Sequence, residues 1–169
     1  PVDPEPSNHA SSFSATTNEH SQINLTWNDN DGAQVATKFL IVGKTGIGTF
    51  YSPSDGTDPS EDTDWSDSNF EIEVSHGVES YSVTDLDAET QYYFRIYPYT
   101  NLGSNIDYKI NGTIPSGNAT TGIEPASPNS GDLYITEVCG DDVDPGGDNG
   151  FMEIYNNSDH SISLTNVQA

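Results

Sequence analysis

Two stretches of this chain gather carboxylates: Asp55, Asp58, Glu61, Asp62, Asp64 and Asp67 in one, and Asp141, Asp142, Asp144 and Asp148 in the other. Such oxygen-rich loops suit calcium, which takes about six to eight oxygen ligands. Neither stretch has the regular ligand spacing of a helix–loop–helix calcium loop, so the signal is one of composition. The expectation is a calcium site drawn from Asp55, Asp58, Asp62 and Asp64 in the first loop and from Asp141, Asp142, Asp144 and Asp148 in the second. The competing reading is a pair of solvated acidic loops without metal. No other cofactor is indicated.

Catalytic constellations do not assemble from the remaining residues. Gly43-Lys44-Thr45 looks superficially like a phosphate loop, but Lys38 stands where the upstream glycine is required and no helix signal follows. There is no Gly-x-Ser-x-Gly elbow. His9, His20, His76 and His160 are scattered, without the paired spacing of zinc ligands. Cys139 ends an apolar run and is followed by acids, which disfavour a thiolate. Glu137 and Glu153 read as strand residues rather than as an acid–base pair. Asn24, Asn111, Asn118 and Asn156 each open an Asn-x-Ser/Thr sequon, a match that a Ser/Thr-rich chain produces by chance. The expectation is that the chain is not an enzyme.

The chain has 169 residues, 27 acidic against 4 basic, and a formal charge of −23. Lys38, Lys44, Arg95 and Lys109 are the whole basic inventory, which excludes a phosphate-backbone grip on nucleic acid and an anionic-membrane patch. Apolar runs such as Phe39-Leu40-Ile41-Val42 are far too short to cross a bilayer. The single cysteine rules out an intrachain disulfide. With no initiator Met and no leader pattern, the chain reads as a piece of something larger.

The elements that must hold these residues are strands. Ile23, Leu25 and Trp27 alternate with polar residues, Phe70 to Val74 alternates with acids, and Tyr81 and Val83 share a face. Along Gln91–Tyr97, Tyr92, Phe94 and Ile96 fall on one side and Tyr93, Arg95 and Tyr97 on the other. The rhythm breaks twice. Gly43 to Asn69 is a long polar insertion with Pro53 and Pro59, of a length that is functional or folded on itself. Residues 123–131 form a Pro/Gly linker, after which strand signals resume at Leu133–Val138 and Phe151–Tyr155.

Leu86-Asp87-Ala88-Glu89-Thr90-Gln91-Tyr92-Tyr93-Phe94-Arg95-Ile96 resembles the tyrosine-corner stretch of fibronectin type III domains. Trp27 matches that family's strand-B tryptophan, and Thr120 and Thr121 resemble the end of its last strand. The resemblance covers residues 6–122. It implies an all-β, Ig-like sandwich with a long C–C′ insertion, in which Leu86 plugs the core and Tyr92 bonds back to backbone. Pro53–Thr57, Ile96–Tyr99 and Ile106–Tyr108 look like modules of large secreted bacterial proteins. Residues 132–169 resemble the N-terminal part of a lamin-tail domain, an incomplete second β-sandwich.

With Tyr92, Phe94 and Ile96 inward, Tyr93, Arg95, Tyr97 and Tyr99 are expected on the outer face, joined by Leu40 and Val42. An apolar stripe of this kind is either covered or binds something. The preferred reading is cover by the insertion, carrying Phe50, Tyr51 and Trp65 over the sheet; the alternative is a ligand face of Trp65, Tyr93, Tyr97 and Tyr99. The resemblance implies a non-catalytic spacer, presentation or adhesion module, secreted or on the cell surface. Its partners would be other domains of its parent protein and a cell-surface, secretion-machinery or glycan partner. The alternatives are an accessory domain of a secreted hydrolase, such as a nuclease, and a carbohydrate-binding module.

Overall fold

The computed structural model describes residues 2–17, 19–139 and 151–164. The chain divides into two compact units, Pro1–Ile123 and Glu124–Ala169. Asp141, Asp142, Asp144 and Asp148 lie outside the described residues.

The first unit is a β-sandwich. One sheet contains β1 (Ser11–Thr16), β2 (Ile23–Asn28) and β5 (Ser80–Val83), in the order β1-β2-β5. The other contains β4 (Asn69–Ser75), β3 (Lys38–Thr45), β6 (Gln91–Thr100) and β7 (Asp107–Tyr108), in that order, with β8 (Ser116–Thr120) also paired to β6. Every pairing is antiparallel. Two-residue alternation decides which faces meet: Ile23, Leu25 and Trp27 from β2 face Phe39 and Ile41 from β3, Phe70 and Val74 from β4, and Tyr92, Phe94 and Ile96 from β6. All are buried, several completely.

The expected corner is present. The Asp87 amide donates to the Tyr92 hydroxyl at 2.9 Å, and Leu86 is buried beneath it. A residue whose part the sequence did not reveal closes the same corner: buried Thr121 donates its hydroxyl to the Asp87 carbonyl at 2.6 Å and accepts from the Thr90 amide at 3.0 Å. The loop between β2 and β3 is held from inside. Asn30 is buried and its Oδ1 accepts from the Ala36 amide at 3.0 Å, while Asp29 accepts from the Trp27 indole at 3.2 Å.

The second unit pairs β9 (Leu133–Cys139) with β10 (Phe151–Asn156) as an antiparallel hairpin, with a register irregularity at Glu153/Ile154. Glu137 sits directly opposite Glu153. Tyr134, Ile135, Val138, Met152, Ile154 and Tyr155 are all exposed.

Replacing Tyr92 by Phe removes the acceptor for a part-buried amide while keeping the ring. The expected loss is about 1–2 kcal/mol of unfolding free energy, read from urea denaturation. An unchanged midpoint would show that the corner hydrogen bond does not hold the sandwich.

Candidate functional site

Strands β3 and β6 carry apolar side chains on both faces, and the outer one is a second core. Leu40, Val42, Tyr97, Tyr99, Ile106 and Tyr108 are buried together there, with Phe50 and Ile114 packed against them. Tyr99 and Tyr108 meet at 5.0 Å between ring centroids. The cover is residues 46–68, the loop between β3 and β4. Phe50 lies under the Arg95 guanidinium at 4.4 Å and near the Lys44 ammonium at 5.5 Å. Further along, the Gly56 amide donates to the Ile106 carbonyl at 2.8 Å, the Tyr108 amide donates to Asp55 Oδ1 at 2.8 Å, and the Tyr108 hydroxyl donates to the Thr57 carbonyl at 3.3 Å. Burial, with nearby carboxylates, pushes the Tyr108 phenol well above its usual range.

The insertion then turns back along the free edge of β4. Asp62 exchanges two backbone hydrogen bonds with Glu71, at 2.8 and 2.7 Å, and Glu61 Oε1 accepts from the Glu73 amide at 3.3 Å. An edge strand with open amides invites pairing with another chain, and this segment occupies those amides.

Three acids of the insertion are spent on backbone amides two residues on. Asp62 Oδ1 accepts from the Asp64 amide at 3.1 Å, Asp64 Oδ1 from the Ser66 amide, and Asp67 Oδ1 from the Asn69 amide at 2.9 Å. These are two-residue side-chain turns, which favour Asp because its short carboxylate reaches the amide two positions on. The bonds from Ser66 hold the Asp64 carboxyl below its ordinary value. Asp55, Asp58, Asp62 and Asp64, expected as one calcium set, are not brought together. Asp55 works at Tyr108 and Asp62 and Asp64 work in successive turns. Among the described residues, no three His, Cys, Asp or Glu side chains converge in a way that could hold a metal.

The ligand face also needs correction. Tyr97 and Tyr99 are 1 % and 0 % exposed, so neither is open to a ligand. Tyr93 is half-buried and donates its hydroxyl to Gln91 Oε1 at 2.6 Å. Trp65 lies on the opposite side of the sheet from these tyrosines, against the inner core: it stacks on Phe70 at 5.2 Å and meets Tyr92 edge-on at 4.7 Å. The cover over the outer face is therefore Phe50 and the 53–57 segment, without Trp65. A signal for this was present in Gly43. A Cβ there would come within 2.8 Å of the Trp65 ring and 2.9 Å of Phe94, so only glycine opens the seat for the indole.

Between the insertion and the outer face of β3 and β4 remains a cavity of 330 Å³, whose lining includes Lys44, Phe50, Tyr51, Asp62, Asp67 and Glu71. Burial and the nearby Asp62 and Asp67 raise the Glu71 carboxyl above its ordinary 4.5. Burial and the nearby Asp55 and Glu5 raise Asp107 above 3.8.

A family model for the fibronectin type III domain matches residues 5–111. The chain belongs to the fibronectin type III family. Among solved structures, the fn3 domain of human contactin 1 is similar at 14 % identity with a TM-score of 0.53, covering 78 % of this chain and 90 % of that one. The FN3 domain of human collagen XX gives 18 % identity and a TM-score of 0.43, over 72 % of this chain and 99 % of that one. At 14 % identity the likeness to the contactin 1 domain shows the β-sandwich fold alone. No curated protein sequence matches the chain. Fibronectin type III domains are generally non-catalytic modules of multidomain proteins and commonly occur in extracellular or surface proteins. Among the described residues, no helix is long and apolar enough to cross a membrane.

Two expectations follow from this geometry. Gly43→Ala should force Trp65 from its seat at a cost of about 1–3 kcal/mol, with a red-shifted indole emission; unchanged stability and emission would show that the contact is dispensable. The second concerns pH. Because the folded values of Glu71 and Asp107 are raised, the native state holds protons more tightly than the unfolded chain there. Their contribution is complete below the ordinary values of 4.5 and 3.8 and is lost as pH rises through the raised ones. Asp64, lowered, acts the other way and only below 3.8. The melting temperature should therefore fall as pH rises above 4.5, and Glu71→Gln should flatten that slope. A melting temperature that climbs from pH 4.5 to 7 would contradict this.

Proposed function

We propose that this fibronectin type III chain is a non-catalytic extracellular spacer, presenting or adhesive module of a large secreted or surface-anchored bacterial protein. On this reading Glu124–Ala169 is the N-terminal part of a lamin-tail-like domain. Its partners are the neighbouring domains of the parent protein together with a cell-surface, secretion-machinery or glycan component. The observation that carries the reading is the closure of the sandwich by its own insertion: the apolar outer face of β3 and β6 is filled by Phe50 and the 53–57 segment, and the β4 edge is occupied by Asp62 and Glu61. A module whose β4 edge is occupied in this way is protected against pairing along that edge while strung in series with others. The charge of −23, spread over a chain with 4 basic residues, supports a strongly hydrated surface suited to that setting.

The test is antibody labelling of intact source cells, raised against this chain, together with its detection in culture medium. The reading expects surface or medium signal before lysis, on a polypeptide much longer than 169 residues. Signal that emerges only after lysis, or a mature polypeptide of this length alone, would overturn it.

A further inference from the structure

We propose that the cavity beneath the insertion is a binding site for a neutral saccharide, one sugar ring held by Lys44 together with Asp62, Asp67 and Glu71. This goes beyond the spacer reading and does not depend on it.

Lys44 is the first ground. It is 9 % exposed and lines the cavity, yet among the described residues its ammonium has no hydrogen bond and no ion pair; it lies beside Gly48 and 5.5 Å from the centre of the Phe50 ring. The other two lysines are both paired, Lys38 with Glu73 at 3.2 Å and Lys109 with Glu5 at 3.0 Å. An ammonium carries three N–H donors, and those of Lys44 are left to water or to a ligand in the cavity. Carboxylates line the same space: Asp62 and Asp67, each accepting one backbone amide, and Glu71, which sits opposite Val42 on β4, on the same sheet face as Lys44.

The ligand chemistry follows from that mixed lining. A simple anion would satisfy Lys44 but meet repulsion from the carboxylates. A metal ion would be opposed by Lys44 and, among the described residues, finds no converging ligand set. A hydroxyl both accepts from an ammonium and donates to a carboxylate, so adjacent hydroxyls on one ring answer both kinds of group without net charge. Tyr51, 45 % exposed on the cavity lining, supplies an open aromatic surface for the apolar C–H face of such a ring. The volume, 330 Å³, lies at the lower end of the range for small-molecule sites, about 300–1,000 Å³.

The experiment is an NMR titration of the full ¹⁵N-labelled chain with glucose, galactose, mannose, xylose and N-acetylglucosamine, each alone. Glycine and calcium chloride are titrated as competing chemistries. At least one sugar should give saturable shifts confined to the amides of residues 42–44, 50–51 and 60–71. Tyr51→Ala, a surface change that leaves the fold intact, and Lys44→Met, which keeps the aliphatic stem, should each weaken binding tenfold or more. Tyr93→Ala, on the same sheet but off the cavity, should leave it unchanged. The proposal is overturned if no sugar gives saturable shifts, if glycine or calcium gives them where sugars do not, or if Tyr51→Ala binds as tightly as the parent chain.

Discussion

Strands β3 and β6 are apolar on both faces, and that constraint organises the rest of the first unit. Paired from Lys38–Tyr99 to Thr45–Tyr92, they send Phe39, Ile41, Phe94 and Ile96 into the space between the sheets and Leu40, Val42, Tyr97 and Tyr99 to the other side. Half of that surface finds its partner in the facing sheet. The other half has no sheet to meet, and each such side chain left in water would forgo about 1.5–3 kcal/mol of burial. The insertion between β3 and β4 supplies the missing layer.

That role explains the composition of the insertion. A segment that crosses a sheet face and then runs along its edge must turn repeatedly, and each turn leaves an amide in need of an acceptor. Asp62, Asp64 and Asp67 answer this locally, and Asp55 and Glu61 answer it across space at Tyr108 and Glu73. The acidic character that suggests a metal loop is, in the fold, a set of backbone acceptors. Its cost is repulsion between carboxylates drawn under the same roof, which is felt at Glu71. The same arch leaves a hollow because Phe50, engaged with Arg95 and Lys44, does not extend over Glu71 and Asp67.

Much of the sandwich is legible in single residues. The alternation of Ile23, Leu25 and Trp27 and of Tyr92, Phe94 and Ile96 fixes two inner faces, because side chains on a strand change sides at every residue. Leu86 and Tyr92 announce the corner. Thr121 and Asn30 are not legible, since a buried Thr or Asn has no periodicity to betray it and is recognised only by the amides it serves. Trp65 is misread for a related reason. It stands in a polar stretch, between Asp64 and Ser66, and the vacancy that receives it is made by a glycine on a different strand.

By itself, then, the sequence determined the strand pattern, the fibronectin type III frame, the anionic surface and the presence of a long insertion between two strands. These are properties of spacing and composition, and they survive without knowledge of what lies opposite. Only the tertiary structure decided that Tyr97 and Tyr99 are core, that Trp65 belongs to the inner face, that the loop acids serve backbone amides rather than one another, and that Lys44 borders a cavity. Each of those depends on how residues 46–68 return across the sheet. That path is set by long-range contacts, such as Gly56 with Ile106 and Asp62 with Glu71, whose partners are far apart along the chain.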